Sequence, residues 1–177
     1  QSIHYACRAC LLLTEFERAI ALANAALALA PDDELALAFK SLAYSMDKNL
    51  EQALLYARRL ETSDSRHPVA LEARLLTLLM QAAKLGGVSD TTDAINKGPE
   101  AIRDLETMLQ TLEGCSIEDL GLPLEGTRVV YQMYANFYLG QLHEATGDGI
   151  KASQYFEKVI QLDPSSNFGE MAYLKLG

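Results

Sequence analysis

The 177-residue sequence predicts an all-α fold made of helical hairpins, a prediction that rests on three observations. Apolar residues recur at intervals of three and four along almost the whole chain, which is the spacing of one face of an α-helix. Runs of β-branched residues that alternate with polar residues, the mark of a strand, do not occur. Small residues also repeat at one fixed spacing, which indicates that helices pack in similar pairs.

Helix-breaking residues divide the chain into these helices. Pro31 and Pro164 cannot continue a helix, and the Asp or Ser residues that follow them can cap the next one by accepting hydrogen bonds from its free N–H groups. Pro68 and Pro99 suit the first turn of a helix. The predicted helices span 2–13, 15–30, 33–47, 50–62, 68–85, 99–113, 126–146 and 149–162, with a last helix from about 167. We therefore expect about four hairpins and a terminal helix.

Three of the hairpins share a pairing of small residues. Each has a small residue in its first helix and an alanine twelve positions later in its second helix. The pairs are Cys7 with Ala19, Ser41 with Ala53, and Gly140 with Ala152. Small residues at facing positions allow two helix backbones to approach closely. Ala19 and Ala53 are 34 residues apart, so a structural repeat of that length is predicted.

This pattern resembles the tetratricopeptide repeat family, whose 34-residue unit reads W-x2-L-G-x2-Y, then A-x3-F, then P. The best match runs through Leu139-Gly140-x2-His143, Ala152-x3-Phe156 and Asp163-Pro164. The repeats are degenerate, because Asn136 stands at the Trp position and Ser65 at the Pro position of the second repeat. The resemblance implies a right-handed superhelix of hairpins whose first helices line a concave groove.

The middle of the chain departs from the repeat length. Ala101, the next second-helix alanine, follows Ala53 by 48 residues and precedes Ala152 by 51. The extra residues fall in 86–98 and 114–126, which we predict to be loops with room for a single helical turn each. The whole of 1–177 is predicted to form one domain. Because the chain begins at Gln1 without a signal-type pattern, we expect it to be a piece of a longer polypeptide.

Composition restricts the classes of partner. Lys and Arg number 15 against 24 Asp and Glu, giving a net charge of −9 without a basic cluster, so nucleic-acid binding is disfavoured. The longest nearly uncharged run, 19–31, is shorter than the ~20 residues of a membrane span. Three cysteines, two of them one helical turn apart, do not indicate a disulfide framework. A cytoplasmic location is therefore predicted.

The spacing Cys7-x-x-Cys10 is shared by thiol oxidoreductases and zinc sites. In the repeat register Cys7 takes the small position, and Cys10 takes the position of Tyr44 and His143. Both thiols then face neighbouring helices, which predicts that they are packing residues. A four-ligand zinc site would need a second cluster, and Cys115 has no His or Cys nearby in the sequence. A thiol- or zinc-regulated module is kept as an alternative.

No arrangement in the sequence is typical of an enzyme. The three histidines are far apart, and no nucleophile-elbow, phosphate-loop or HExxH motif occurs. We therefore predict a non-catalytic adaptor or scaffold, without a cofactor, that binds a protein or peptide partner. The alternative within the same class is a structural spacer of a larger assembly that self-associates through its terminal helix.

The tetratricopeptide resemblance also implies which residues line the groove, namely those on the side of each first helix that faces away from its own partner helix. They are His4, Tyr5 and Arg8 in the first hairpin, Leu35, Ala38 and Leu42 in the second, and Tyr134, Phe137, Tyr138 and Gln141 in the last. We predict partner contacts for His4, Arg8, Leu42 and the four residues of the last hairpin. The aromatic residues carry most of this prediction, because tyrosine is a common binding anchor. The alternative is that they pack against the two inserted segments.

Overall fold

A computed structural model describes residues 2–61, 67–86, 91–114 and 125–177, and all regular structure in these ranges is α-helical. The helices are α1 (Ser2–Leu12), α2 (Phe16–Leu29), α3 (Glu34–Met46), α4 (Leu50–Glu61), α5 (Pro68–Gly86), α6 (Thr91–Gly114), α7 (Glu125–Ala145), α8 (Gly149–Leu162) and α9 (Asn167–Leu176). The predicted all-α class is confirmed. None of these helices is both long and apolar enough to cross a bilayer.

The chain divides into two compact units, with the division between Thr77 and Leu78 inside α5. In the first unit α1 packs on α2 and α3, α2 packs on α3, and α3 packs on α4. Its core joins these helices to the first part of α5, through residues such as Leu37, Phe39 and Ala73. In the second unit α6 packs on α7, α7 on α8, and α8 on α9. Phe137, Phe156 and Val159 lie in the core of that unit.

The turns of three hairpins share one backbone geometry. The second residue after each first helix has a positive φ: 59° at Thr14, 61° at Lys48 and 87° at Gly147. Its N–H donates to the carbonyl three residues earlier, and the next N–H donates to the carbonyl five residues earlier. This pair of bonds is the Schellman motif, which satisfies the last carbonyls of a helix. The three hairpins therefore end their first helices in the same way.

The structure also gives the physical reason for the twelve-residue pairing of small residues. The Cys7 thiol donates to the Ala19 carbonyl at 3.8 Å, and the Ser41 hydroxyl donates to the Ala53 carbonyl at 3.1 Å. A Cβ on Gly140 would lie 2.6 Å from the Phe156 ring. In each case the side chain of the first helix must be small, because the second helix approaches so closely.

The predicted caps after Pro31 and Pro164 are confirmed. The Asp33 carboxylate accepts a hydrogen bond from the Ala36 N–H at 3.0 Å and begins α3. The Ser166 hydroxyl accepts from the Gly169 N–H at 3.0 Å and begins α9. Each cap satisfies one of the N–H groups that the first turn of a helix leaves without an intrahelical partner.

The prediction of a loop over 86–98 was wrong for the residues that the structure describes. Gly86 ends α5, and α6 begins at Thr91 rather than at 99, so that Pro99 lies inside the helix. Proline removes one hydrogen bond from a helix interior. The helix packs closely at this point, because a Cβ on Gly98 would be 2.8 Å from the Thr146 methyl. Most of the second predicted loop, 115–124, lies outside the described residues.

A buried cluster of hydroxyl groups joins α3, α4 and α5 in the first unit. Thr77 Oγ1 donates to the Ala73 carbonyl at 2.8 Å and lies 2.9 Å from Ser45 Oγ and 3.1 Å from Ser41 Oγ. The single Thr77 proton goes to Ala73 and the single Ser41 proton goes to Ala53, so Thr77 accepts its hydrogen bond from Ser45. The hydroxyl of Thr77 therefore satisfies the buried hydroxyl of Ser45.

Gly147 and Gly149 provide a matched test of the turn geometry. A Cβ would meet no atom within 4 Å at either glycine, but only Gly147 has a positive φ, 87°. We expect Gly147→Ala to lower the free energy of unfolding by about 1–2 kcal/mol, because a left-handed backbone strains a residue with a Cβ. Gly149→Ala should leave stability unchanged or raise it, since alanine favours helices. Urea denaturation of the two variants measures both effects, and equal losses would contradict the explanation.

Thr77→Val tests the hydroxyl cluster, because valine keeps the shape of threonine. We expect a loss of about 1–3 kcal/mol in the free energy of unfolding, since a buried serine hydroxyl loses its acceptor. Thr107→Val is the control: Thr107 makes the same kind of bond, to the Arg103 carbonyl at 2.8 Å, but is exposed. A change within about 0.5 kcal/mol is expected there. The free energy of unfolding of both variants is measured by chemical denaturation. Equal losses for Thr77→Val and Thr107→Val would contradict a structural role for the buried Thr77 hydroxyl.

Candidate partner-binding surface

The predicted aromatic residues of α7 gather around one ring of α9, Phe168. The Phe168 centroid lies 4.7 Å from that of Tyr134, 4.9 Å from that of Phe137 and 6.1 Å from that of Tyr138. All three rings meet Phe168 tilted or edge to face, which is the arrangement that aromatic quadrupoles favour. The aromatic row thus packs in part against the helix that follows its own hairpin.

Local geometry fixes the position of Phe168. Ser166 caps α9, its hydroxyl donates to the Asp163 carbonyl at 2.8 Å, and it lies 3.1 Å from the Met133 sulfur. A Cβ on Gly169 would come within 2.3 Å of the Asp163 carbonyl, so only glycine allows α9 to start so close to the end of α8. Phe168 stands between these two residues. The backbone on both sides of Phe168 is therefore restricted, and this restricts where the Phe168 ring can lie on α7.

The four predicted residues of α7 differ in exposure. Phe137 is buried in the core and contacts Phe156 at a centroid distance of 5.7 Å. Tyr134, Tyr138 and Gln141 are half-buried, so each keeps part of its side chain at the surface. Gln141 packs against the end of α5, where a Cβ on Gly86 would lie 2.9 Å from the Gln141 Cβ. Phe137 therefore supports the surface, and the other three residues help to form it.

α9 extends this surface with apolar residues that sequence reasoning did not select. Its buried side consists of Gly169 and Ala172. Met171 lies one turn beyond Phe168, and Leu174 points to the side opposite Ala172, where it is 83% exposed. At the far end, the Lys175 ammonium donates to the Glu144 carboxylate of α7 at 2.6 Å. α9 is thus held on α7 at both ends and exposes large apolar side chains between them.

Burial also affects the Tyr138 hydroxyl. Burial, and then the neighbouring Tyr134, raise the pKa of Tyr138 above its ordinary value. Its hydroxyl therefore keeps its proton at neutral pH and can donate a hydrogen bond.

The predicted residues of the first unit occupy three different environments. Leu42 is buried with Ala38 in the core that includes the start of α5. The His4 Nε2 lies 2.8 Å from the Asp33 carboxylate, and the His4 ring is tilted against Phe39. Arg8 is exposed, as is Tyr5. Leu42 is therefore a packing residue, while partner contacts by His4 and Arg8 stay predictions.

The Asp33 carboxylate has two structural tasks, capping α3 and holding His4. Burial opposes its charge, but the hydrogen bonds from the Ala36 N–H and from His4 outweigh this and lower the pKa of Asp33. Asp33 therefore stays ionised to a lower pH than an ordinary aspartate, and its carboxylate can keep accepting both hydrogen bonds.

The two cysteines of α1 are packing residues in the geometry of the first unit. Both are buried free thiols, and Cys7 has no exposed surface. Burial, the nearby Cys10 and Asp33 raise the pKa of Cys7 to about 11. Within the described ranges, no three His, Cys, Asp or Glu side chains converge as metal ligands would. Cys115 lies outside those ranges.

No protein-family profile matches the chain, and comparisons with curated proteins and with solved structures likewise find no match.

Thiol reactivity tests the packing of Cys7. We expect folded protein at neutral pH to react with a water-soluble thiol reagent at Cys7 at least tenfold more slowly than the same chain in urea, because only the thiolate reacts and its site is closed to solvent. Mass spectrometry of peptides assigns the modification to each cysteine separately. The urea-unfolded chain is the control for intrinsic reactivity, and rapid modification of folded Cys7 would contradict the packing role.

Proposed function

We propose that this chain is a non-catalytic adaptor that binds a partner protein through a surface on α7 and α9. This α7–α9 surface consists of Tyr134, Tyr138 and Gln141 with Met171 and Leu174. The observation that carries the proposal is the 83% exposure of Leu174 on the helix whose Phe168 contacts both tyrosines. Leu174 and Met171, one turn apart on α9, are both exposed, and contiguous exposed apolar side chains favour an interaction site.

Repetition supports the choice of a tetratricopeptide-like adaptor. Three hairpins have a residue with positive φ at the same turn position, and all three have the same close pairing of small residues. In the tetratricopeptide register α7 is a first helix. α9 is also one, because Tyr173-x2-Leu176-Gly177 repeats the opening of the motif. First helices line the groove in that family, so the proposed surface is the part of the groove that these two helices contribute.

The side chains of the surface indicate the chemistry of the partner. Leu174 and Met171 suit an apolar face, and methionine adapts its shape to different partners. Tyr134 and Tyr138 are half-buried, and the protonated Tyr138 hydroxyl can donate to a backbone carbonyl. A helix or extended segment with spaced apolar residues fits this combination. Charged residues contribute only at the margin, through the Lys175–Glu144 pair.

Leu174→Glu tests the surface, with Leu29→Glu as a matched control. Leu29 is 87% exposed on α2, in the other unit, so both changes place the same charge on an equally exposed leucine. We expect both variants to keep the wild-type stability within about 0.5 kcal/mol, because the side chains are in water. Partners captured by the wild type and identified by mass spectrometry should be lost with Leu174→Glu and retained with Leu29→Glu. For a purified partner, Kd should rise by about 30-fold, the effect of a 2 kcal/mol hot spot.

Equal binding by the two variants would remove the α7–α9 surface from the proposal. Self-association is the second candidate, since the same exposed side chains of α9 could meet those of another copy. Sedimentation of the purified wild type over a range of concentrations distinguishes the two cases. A concentration-dependent dimer that Leu174→Glu abolishes would favour the self-associating spacer over the adaptor.

A further inference from the structure

An aromatic stack recurs at one position in two hairpins. In the α3–α4 hairpin, Tyr44 stacks on Tyr56 with centroids 5.8 Å apart and planes at 9°. In the α7–α8 hairpin, His143 stacks on Tyr155 with centroids 5.4 Å apart and planes at 10°. The two residues of each pair are twelve positions apart in the sequence. One hairpin thus uses a phenol where the other uses an imidazole, although a phenol satisfies the same packing.

The imidazole lies in a place where a positive charge is poorly hydrated. His143 is only 4% exposed, and its Nε2 has no hydrogen-bond partner within the described part of the chain. That nitrogen lies 3.7 Å from the Glu106 carboxylate of α6, beyond hydrogen-bond distance. Glu106 instead accepts a hydrogen bond of 2.6 Å from the Tyr155 hydroxyl. α6 is therefore joined to α8 by a bond that passes beside the buried imidazole.

Several other charged groups surround this bond. Asp148, the cap of α8, lies 3.9 Å from His143 Nδ1, and the positive charge of Lys151 disfavours the charged form of His143. The Lys158 ammonium of α8 lies 4.7 Å from the Tyr155 ring centroid. On α6, the negative charges of Glu106 and Glu113 disfavour ionisation of Tyr155. From α9, Lys175 binds Glu144, the neighbour of His143 on α7.

These groups act on His143 in opposite directions. Burial and the positive charge of Lys151 disfavour the imidazolium, whereas Glu106 and Asp148 favour it. Burial is the largest effect, and the pKa of His143 is lowered below its ordinary value of 6.5. The unfolded chain then binds a proton more readily than the folded chain does. Stability contributed by neutral His143 is complete above about pH 6.5 and is lost as the pH falls from there towards the folded pKa.

We propose that His143 makes the packing of α6 on the α7–α8 hairpin sensitive to acid, through the imidazole that stacks on the Tyr155 ring and lies 3.7 Å from the Glu106 carboxylate that Tyr155 binds. In the imidazolium both ring nitrogens carry protons, so the positively charged ring attracts Glu106 Oε1 in competition with the Tyr155 hydroxyl. Protonation also places a charge where water cannot reach. The second unit loosens in mild acid, while the α3–α4 hairpin, with Tyr44 at the equivalent position, lacks this response.

His143→Tyr tests the proposal with the residue that the other hairpin already uses. Thermal unfolding is measured for both proteins between about pH 7.5 and about pH 5.5, on either side of the ordinary histidine pKa. The wild-type Tm should fall over this range by more than the Tm of His143→Tyr, because only the wild type takes up the proton on unfolding. Equal falls in Tm would overturn the proposal.

Two further measurements keep the test decisive if His143→Tyr does not fold. An NMR titration of the intact wild type should give a His143 imidazole pKa below 6.5, and a value at or above this would overturn the proposal. Lys151→Gln should reduce the acid-induced fall in Tm, because it removes the positive charge that opposes protonation. Its control is Lys97→Gln, which removes an exposed lysine of α6 that pairs with Asp93. Equal effects of the two lysine changes would also count against His143.

Discussion

The close approach of the two helices within each hairpin is the constraint on which the rest of the structure depends. It requires a small side chain where the backbones meet, as at Gly140, where any Cβ would enter the Phe156 ring. At the equivalent places, Cys7 and Ser41 use their small polar side chains to bind a carbonyl of the opposite helix. The same approach brings the ring of Tyr44 or His143 flat against a tyrosine of the second helix.

Helix α9 shows how packing and a candidate binding surface arise from the same residues. Its buried side, with Gly169 and Ala172, fixes it against α8, and Phe168 covers part of the aromatic row on α7. This covering converts Phe137 into core and leaves Tyr134 and Tyr138 half-buried. Half-buried rings suit recognition, because their orientation is already fixed before a partner arrives. The exposed side of α9 then adds the apolar side chains of Met171 and Leu174 to the candidate surface.

Polar groups inside the two units are held by different means. Thr77 and its serines satisfy one another through hydroxyl groups, which carry no charge and respond little to pH. Asp33 is charged but is stabilised by several donors, among them His4. His143 is the contrasting case, since its buried Nε2 faces a carboxylate that already binds Tyr155. A titratable group with incomplete hydrogen bonding is where a change of pH acts most directly on packing.

The helical class, most helix ends and the register of the hairpins could be predicted from the sequence alone. These are local properties: a proline stops a helix wherever it occurs, an Asp or Ser after it can cap the next one, and a fixed spacing of small residues needs no knowledge of distant contacts. The tertiary structure decided what local rules could not. Gly98 and Pro99 resemble a helix start, but α6 is helical from Thr91 onward and packs closely on Thr146 at Gly98. Phe168 belongs to no motif, yet its contacts decide that Phe137 is buried while Tyr134 and Tyr138 reach the surface, because exposure depends on which later helix covers a residue.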